Sequence, residues 1–99
     1  MRALKIRTFQ DHLRKELKDP EFRKHFEEER RALSLAMRIV ALRQKHGWTQ
    51  KDFAKAMGTS QQVVSRIESG DYEGFTLKTL ERIAQATGTR LNIDFLPAA

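Results

Sequence analysis

Gly58 constrains this chain more than any other residue, because it stands between two short amphipathic segments in the stretch Thr49 to Gly70, TQKDFAKAMGTSQQVVSRIESG. A glycine takes the left-handed backbone conformation that bulkier residues avoid, so a sharp bend costs little there. Ala54, four residues earlier, is small enough for the second segment to cross the first closely. Val64 and Ile67 close the space between them. Thr49 and Ser60 each precede a segment whose free first-turn amides can donate to their hydroxyls, which makes both residues amino-terminal caps. The pattern predicts two helices, about Gln50 to Met57 and Gln61 to Glu68.

Two short helices at such a bend suit the reading of duplex DNA, in which the second helix lies in the major groove and its early residues meet base edges. Those residues are Gln61 and Gln62. A glutamine amide both donates and accepts in one plane, which matches the adjacent acceptor and donor on the major-groove edge of adenine. Arg66, one turn further on, is placed for a guanine or a phosphate. Gln50 and Lys51 face the sugar-phosphate backbone, where a helix amino terminus favours an anion, and set register more than sequence. Ser60, Ser65 and Thr76 complete the expected DNA-contacting set. Surface glutamines and interhelical glycines are commonplace singly. The joint spacing of Gln50, Ala54, Gly58, Val64 and Ile67 is what points to DNA.

The stretch from about Leu35 to Gly88 resembles the Cro and lambdoid-repressor class of helix-turn-helix domains, the XRE family. The resemblance implies four or five helices and DNA binding as a dimer. GTSQQ at Gly58 to Gln62 is similar to the start of the recognition helix in phage repressors whose paired glutamines contact operator bases. The same resemblance implies an internal ion pair between Arg43 and Glu68. One departure is visible after Gly70, where Asp71 and Glu73 occupy a loop that often carries basic phosphate contacts in this family. That loop is expected to sit back from DNA.

A length of 99 residues allows one compact domain and an appendage. No 18-residue apolar run exists to span a membrane, and the first residues lack the apolar core of a signal peptide. Without cysteine there is no disulfide or thiolate metal site, so a cytoplasmic protein is expected. The formal charge of +6 suits a polyanion partner, but it is unevenly spread. Residues 1–47 hold 13 Lys and Arg against 7 Asp and Glu, whereas residues 48–99 hold 6 of each. Arg38, Arg43 and Lys45 belong to the first helix of the DNA-binding domain and are candidates for a place near phosphates. The rest of the excess belongs to an amino-terminal arm.

The arm reads as two helices. The first runs from about Phe9 to Lys18, with Phe9, Leu13 and Leu17 on one face. Asp19 is a good cap and Pro20 fits a first helical position, so a second helix starts there and meets no breaker until Gly47. Such a helix is about 40 Å long at 1.5 Å per residue. Phe22, Phe26 and Leu33 share a face, so its first half carries apolar surface that needs cover. Either Leu13 and Leu17 fold back on Phe22 and Phe26 as a helical hairpin, or a protein partner covers them. LRKELKDPEF, followed by a long charged helix running into a repressor domain, resembles the amino-terminal region of HigA-type antitoxins. That resemblance implies binding of a small protein toxin and repression of the antitoxin's own operon. The acidic run Glu27 to Glu29 reads either as a contact for a basic toxin or as the solvated face of a long helix.

Beyond the reading helix, Thr76 caps a helix through Ala86 with Leu77, Leu80, Ile83 and Ala84 as its core face, ended by Gly88. Leu91, Ile93 and Phe95 then alternate with Asn92 and Asp94, which predicts a strand ended by Pro97. A lone strand is unstable. Its partner is the same strand of a second subunit, the Ala3 to Thr8 segment, or the edge of a partner's sheet. HipB-type antitoxins, which GWTQKDFAKAMG resembles, use such a tail as a two-stranded lid across the dimer, and intersubunit pairing is preferred here.

Catalysis finds no support: His12, His25 and His46 are far apart and lack clustered carboxylates, so they read as surface residues. The five glycines are isolated, which excludes a phosphate-binding glycine loop. Ser60, Ser65 and Ser69 lack a nearby histidine base, and no metal or cofactor is expected. The sequence therefore predicts an all-α fold: an arm over 1–34, a repressor-like helix-turn-helix domain over 35–88, and a strand tail over 89–99. The expected function is sequence-specific repression from a near-palindromic operator, as a homodimer, by the antitoxin of a type II toxin-antitoxin module. The alternative is a stand-alone homodimeric regulator. In the antitoxin reading, Leu13, Leu17, Phe22 and Phe26 bind the toxin.

Overall fold

The computed structural model describes residues 10–98. Their elements are α1 over 10–16, α2 Pro20–Lys45, α3 Gln50–Met57, α4 Gln61–Glu68, a 3-10 turn Tyr72–Gly74 and α5 Leu77–Thr87. The chain forms two compact units, Met1–Arg31 and Ala32–Ala99, so the division falls within α2 rather than at its end. Phe9, and the Ala3 to Thr8 segment weighed as a partner for the tail, lie outside the described residues.

In residues 32–98 the boundaries follow from local chemistry. Thr49 caps α3 reciprocally: its hydroxyl accepts from Asp52 N–H at 3.1 Å, while the Asp52 carboxylate accepts from Thr49 N–H at 3.0 Å. Gly58 ends the helix at φ 71°. The Gly58 and Thr59 amides donate to the carbonyls of Lys55 and Ala54 at 3.1 and 2.9 Å, the double closure of a Schellman turn. A Cβ on Gly58 would meet nothing within 4 Å, so the backbone angle, not space, requires the glycine. Ser60 caps α4, Thr76 caps α5, and Gly88 closes α5 as Gly58 closes α3.

These helices bury one core. Phe53 is fully enclosed, and Val64 and Ile67 are each 1% exposed. Ile39 of α2 and Ile83 of α5 meet them there. Ala54, buried at the crossing, lets α4 lie close on α3. Each large side chain so enclosed stabilises the unit by about 1.5–3 kcal/mol.

Residues 10–31 hold together differently. Asp19 caps α2 by accepting from Glu21 N–H at 3.0 Å, with Pro20 at the first helical position. The Phe22 and Phe26 rings stack at 6.4 Å between centroids. Leu13, Leu17, Phe22 and Phe26 are all only half-buried, and no described residue of this unit is fully buried.

The tail departs from expectation. The alternation of Leu91, Ile93 and Phe95 predicts a strand, but residues 89–98 contain none. A strand needs a partner ladder, and no strand exists among the described residues to supply it. Ile93, Phe95 and Leu96 are consequently 59%, 96% and 82% exposed. The described fold is all-α. None of its helices is long and apolar enough to cross a membrane.

Candidate nucleic-acid interface

Of the eight residues of α4, Val64 and Ile67 are buried, Glu68 is half-buried and the other five are exposed. Val64 and Ile67 point inward, which by helical geometry turns Gln62, Ser65 and Arg66 outward, and these three and Gln61, at the start of the helix, are all exposed. Ser60 is spent on the cap, its hydroxyl accepting from Val63 N–H at 3.3 Å. Val63 is 38% exposed beside the glutamines, an apolar member of the outward face.

Behind this face lies a polar network. Arg43 donates through Nε and Nη2 to the two carboxylate oxygens of Glu68 at 2.7 and 3.1 Å, and through Nη1 to the Trp48 carbonyl at 2.8 Å. Gln50 Nε2 donates to Glu68 Oε1 at 3.1 Å. The side chains of the ion pair are 16% and 6% exposed, so the bidentate fork and its extra hydrogen bonds are what offset desolvation. This network joins the end of α4 to α2 and to the first residue of α3. Arg43 is thereby committed inside the domain, and its expected place near phosphates does not hold. Arg38 and Lys45 line a groove between α2, α5 and residues 89–92, to which no residue of α4 contributes.

Lys51 is exposed on the first turn of α3. Beside it Asp52 brings a carboxyl held below the ordinary aspartate range, first by the Thr49 backbone N–H and then by the Thr49 hydroxyl. The negative charge of the capping box therefore opposes an anion at this terminus, leaving Lys51 as the attractive group. Arg66 is paired with Asp71, at 2.6 Å. Thr76 accepts from Thr79 N–H at 3.1 Å, as a cap does.

His46 is exposed, as a surface residue is, yet it makes defined contacts. Its ring stacks on Trp48 at 4.2 Å, and Nε2 donates to the Thr87 carbonyl at 2.9 Å, tying the α2–α3 turn to the end of α5. His12 stays exposed with Glu16 at 3.8 Å. Among the described residues no group of three His, Asp or Glu could hold a metal ion.

A helix-turn-helix family model, HTH_3, matches residues 39–93, more than half of the chain. The chain belongs to this XRE-type helix-turn-helix family. It is also 42% identical over 67 residues to a protein of Mycobacterium tuberculosis (strain ATCC 25618 / H37Rv) named "Putative antitoxin HigA3". The aligned stretch takes in 67% of this chain and 62% of that relative, so the chain spans somewhat less than two thirds of the relative's length. No solved structure matches the chain. Membership of the family makes this chain a DNA-binding regulator.

Proposed function

We propose that this protein represses transcription by reading an operator with α4, and that it is the antitoxin of a type II toxin-antitoxin module acting in the cytoplasm. The observation that carries the DNA reading is the outward face of α4, whose amides and guanidinium lie clear of the core while Val64 and Ile67 anchor the helix. Gln61 and Gln62 pair with adenine edges, Val63 packs on a thymine methyl, and Lys51 meets phosphate. Ser65 and Thr76 flank this contact.

Two copies reading a near-palindromic operator would place their helices about 34 Å apart. Leu91, Ile93 and Phe95 give a homodimer its means of closure. Their tail forms a strand only when a second copy's tail supplies the ladder, which accounts for the exposure of Ile93 and Phe95.

The named relative supports the antitoxin half of the proposal. The arm supplies the surface: Leu13, Leu17, Phe22 and Phe26 keep apolar area that their own unit does not enclose. The second reading, a stand-alone regulator, draws on the separate core of residues 32–99.

Purification of the tagged protein from its native cells in high salt, which strips DNA, decides between them. A stoichiometric small protein that remains bound, and is lost from a Phe22→Ser, Phe26→Ser double variant that still binds operator, is the antitoxin outcome. A bare homodimer from the same cells leaves the stand-alone regulator.

A further inference from the structure

We propose that Asp71 is a positioning residue for specificity: it holds Arg66 so that the end of the guanidinium reads a guanine. The inference rests on the DNA-reading role proposed for α4. The Arg66 side chain is 67% exposed. It is nonetheless pinned, since Nε and Nη2 both donate to Asp71 Oδ2, at 3.0 and 2.6 Å. The carboxylate is held in turn. Its Oδ1 accepts from Glu73 N–H at 3.2 Å, and the Asp71 N–H donates to the Arg66 carbonyl at 3.2 Å.

A guanidinium presents five N–H donors in one plane. With the Nε and Nη2 edge engaged by Asp71, the protons left are those of Nη1 and the second proton of Nη2, directed away from the carboxylate. A parallel pair at that end matches the O6 and N7 acceptors of guanine. An exposed ion pair adds little to stability, so the effect of this one lies in orientation. The pair restricts part of the rotamer freedom that guanine binding would otherwise remove. The same carboxylate repels phosphate, so it lowers affinity for every sequence while sharpening the choice among them. Pairing with Arg66 holds the Asp71 carboxyl below its ordinary range. The acidic loop after Gly70 thus acquires a role: it contributes through Arg66 rather than by touching DNA.

The test is selection from random duplex DNA by the full-length protein and by Asp71→Asn, Arg66→Ala and the double variant, with binding to unrelated DNA measured alongside. Asp71→Asn keeps size and shape but removes the charge. The expected result is a guanine position in the wild-type site that Arg66→Ala abolishes and at which Asp71→Asn lowers discrimination by about tenfold. Affinity of Asp71→Asn for unrelated DNA should rise, and adding it to Arg66→Ala should change no base preference. A guanine preference that Asp71→Asn leaves intact overturns the inference, as does a site in which no position responds to Arg66→Ala. If the adenine positions still respond to Gln61→Ala, the failure belongs to Asp71 alone. If the wild type enriches no sequence, the DNA-reading proposal falls with it.

Discussion

The unit of residues 32–99 and the arm of residues 10–31 are both helical, for different reasons. The first has an enclosed core around Phe53 and Ile67, and its helices of 8, 8 and 11 residues are too short to persist alone in water. Tertiary packing makes them helices. The arm has no fully buried described residue, and its part of α2 rests on the Asp19 cap, on the Phe22–Phe26 stack and on the length of a 26-residue helix. Length and caps make it one. An element that needs no core of its own can offer its apolar face to another chain, whereas the helices of the DNA-binding unit depend on an enclosed core around Phe53, Val64 and Ile67.

Core truncation tests that contrast most severely. Phe53→Ala should destabilise the protein by about 3–5 kcal/mol, and Phe22→Ala by on the order of 1 kcal/mol or less, in urea melts followed by circular dichroism. Equal losses would mean that the arm belongs to the same cooperative unit, and the comparison would collapse.

Ion pairs sharpen it next. Arg43→Ala strands the Glu68 carboxylate, whose side chain is 6% exposed, and should cost about 3–5 kcal/mol. Arg30 and Glu27 in the arm also pair, at 3.0 Å, but their side chains are 66% and 38% exposed. Arg30→Ala should therefore cost no more than about 1 kcal/mol. The thermal unfolding midpoints of the two variants make the measurement.

At the DNA surface, Gln61→Ala should relax preference at one operator position by about 1–3 kcal/mol. Lys51→Ala should instead weaken binding to all sequences alike and reduce the salt dependence by about one phosphate contact. Arm substitutions should do neither. A Phe26→Ser variant with altered base preference would place the arm within the reading machinery.

What the sequence revealed divides along the same lines. α3 and α4 begin and end where Thr49, Gly58, Ser60 and the 3.6-residue period put them, because capping is local chemistry. The Asp52 half of the cap was open to reading, since Thr49-x-x-Asp52 is a variant of the capping box. The resemblance to phage repressors supplied the pairing of Arg43 with Glu68, which spacing alone could not. Gln50 to Glu68, Arg66 to Asp71 and His46 to Thr87 depend on where separate elements come to rest, and no local period encodes them. The tail is a related case: alternation at Leu91, Ile93 and Phe95 describes a strand's faces but does not supply a ladder, and the described residues contain none.

The caps themselves give the finest test. Thr49→Ala should cost about 1 kcal/mol in the global transition, whereas Asp19→Ala should fray the start of α2 and leave that transition in place. Acid then isolates the Asp52 half of the box. Its folded carboxyl lies below the ordinary value of 3.8, chiefly through the Thr49 backbone N–H, with the Thr49 hydroxyl, Lys55 and Lys51 acting the same way and partial burial opposing them. A group depressed in the folded state contributes fully above the unfolded value, and the contribution is lost as pH falls through the folded one. The stability difference between wild type and Asp52→Asn should thus stay flat from neutrality down to about pH 4 and shrink below it. Asp71 titrates in the same direction through Arg66, so both proteins should carry Asp71→Asn to remove that contribution. A difference that changed near neutrality and not in acid would mean that the Asp52 carboxylate does not stabilise α3 through the cap.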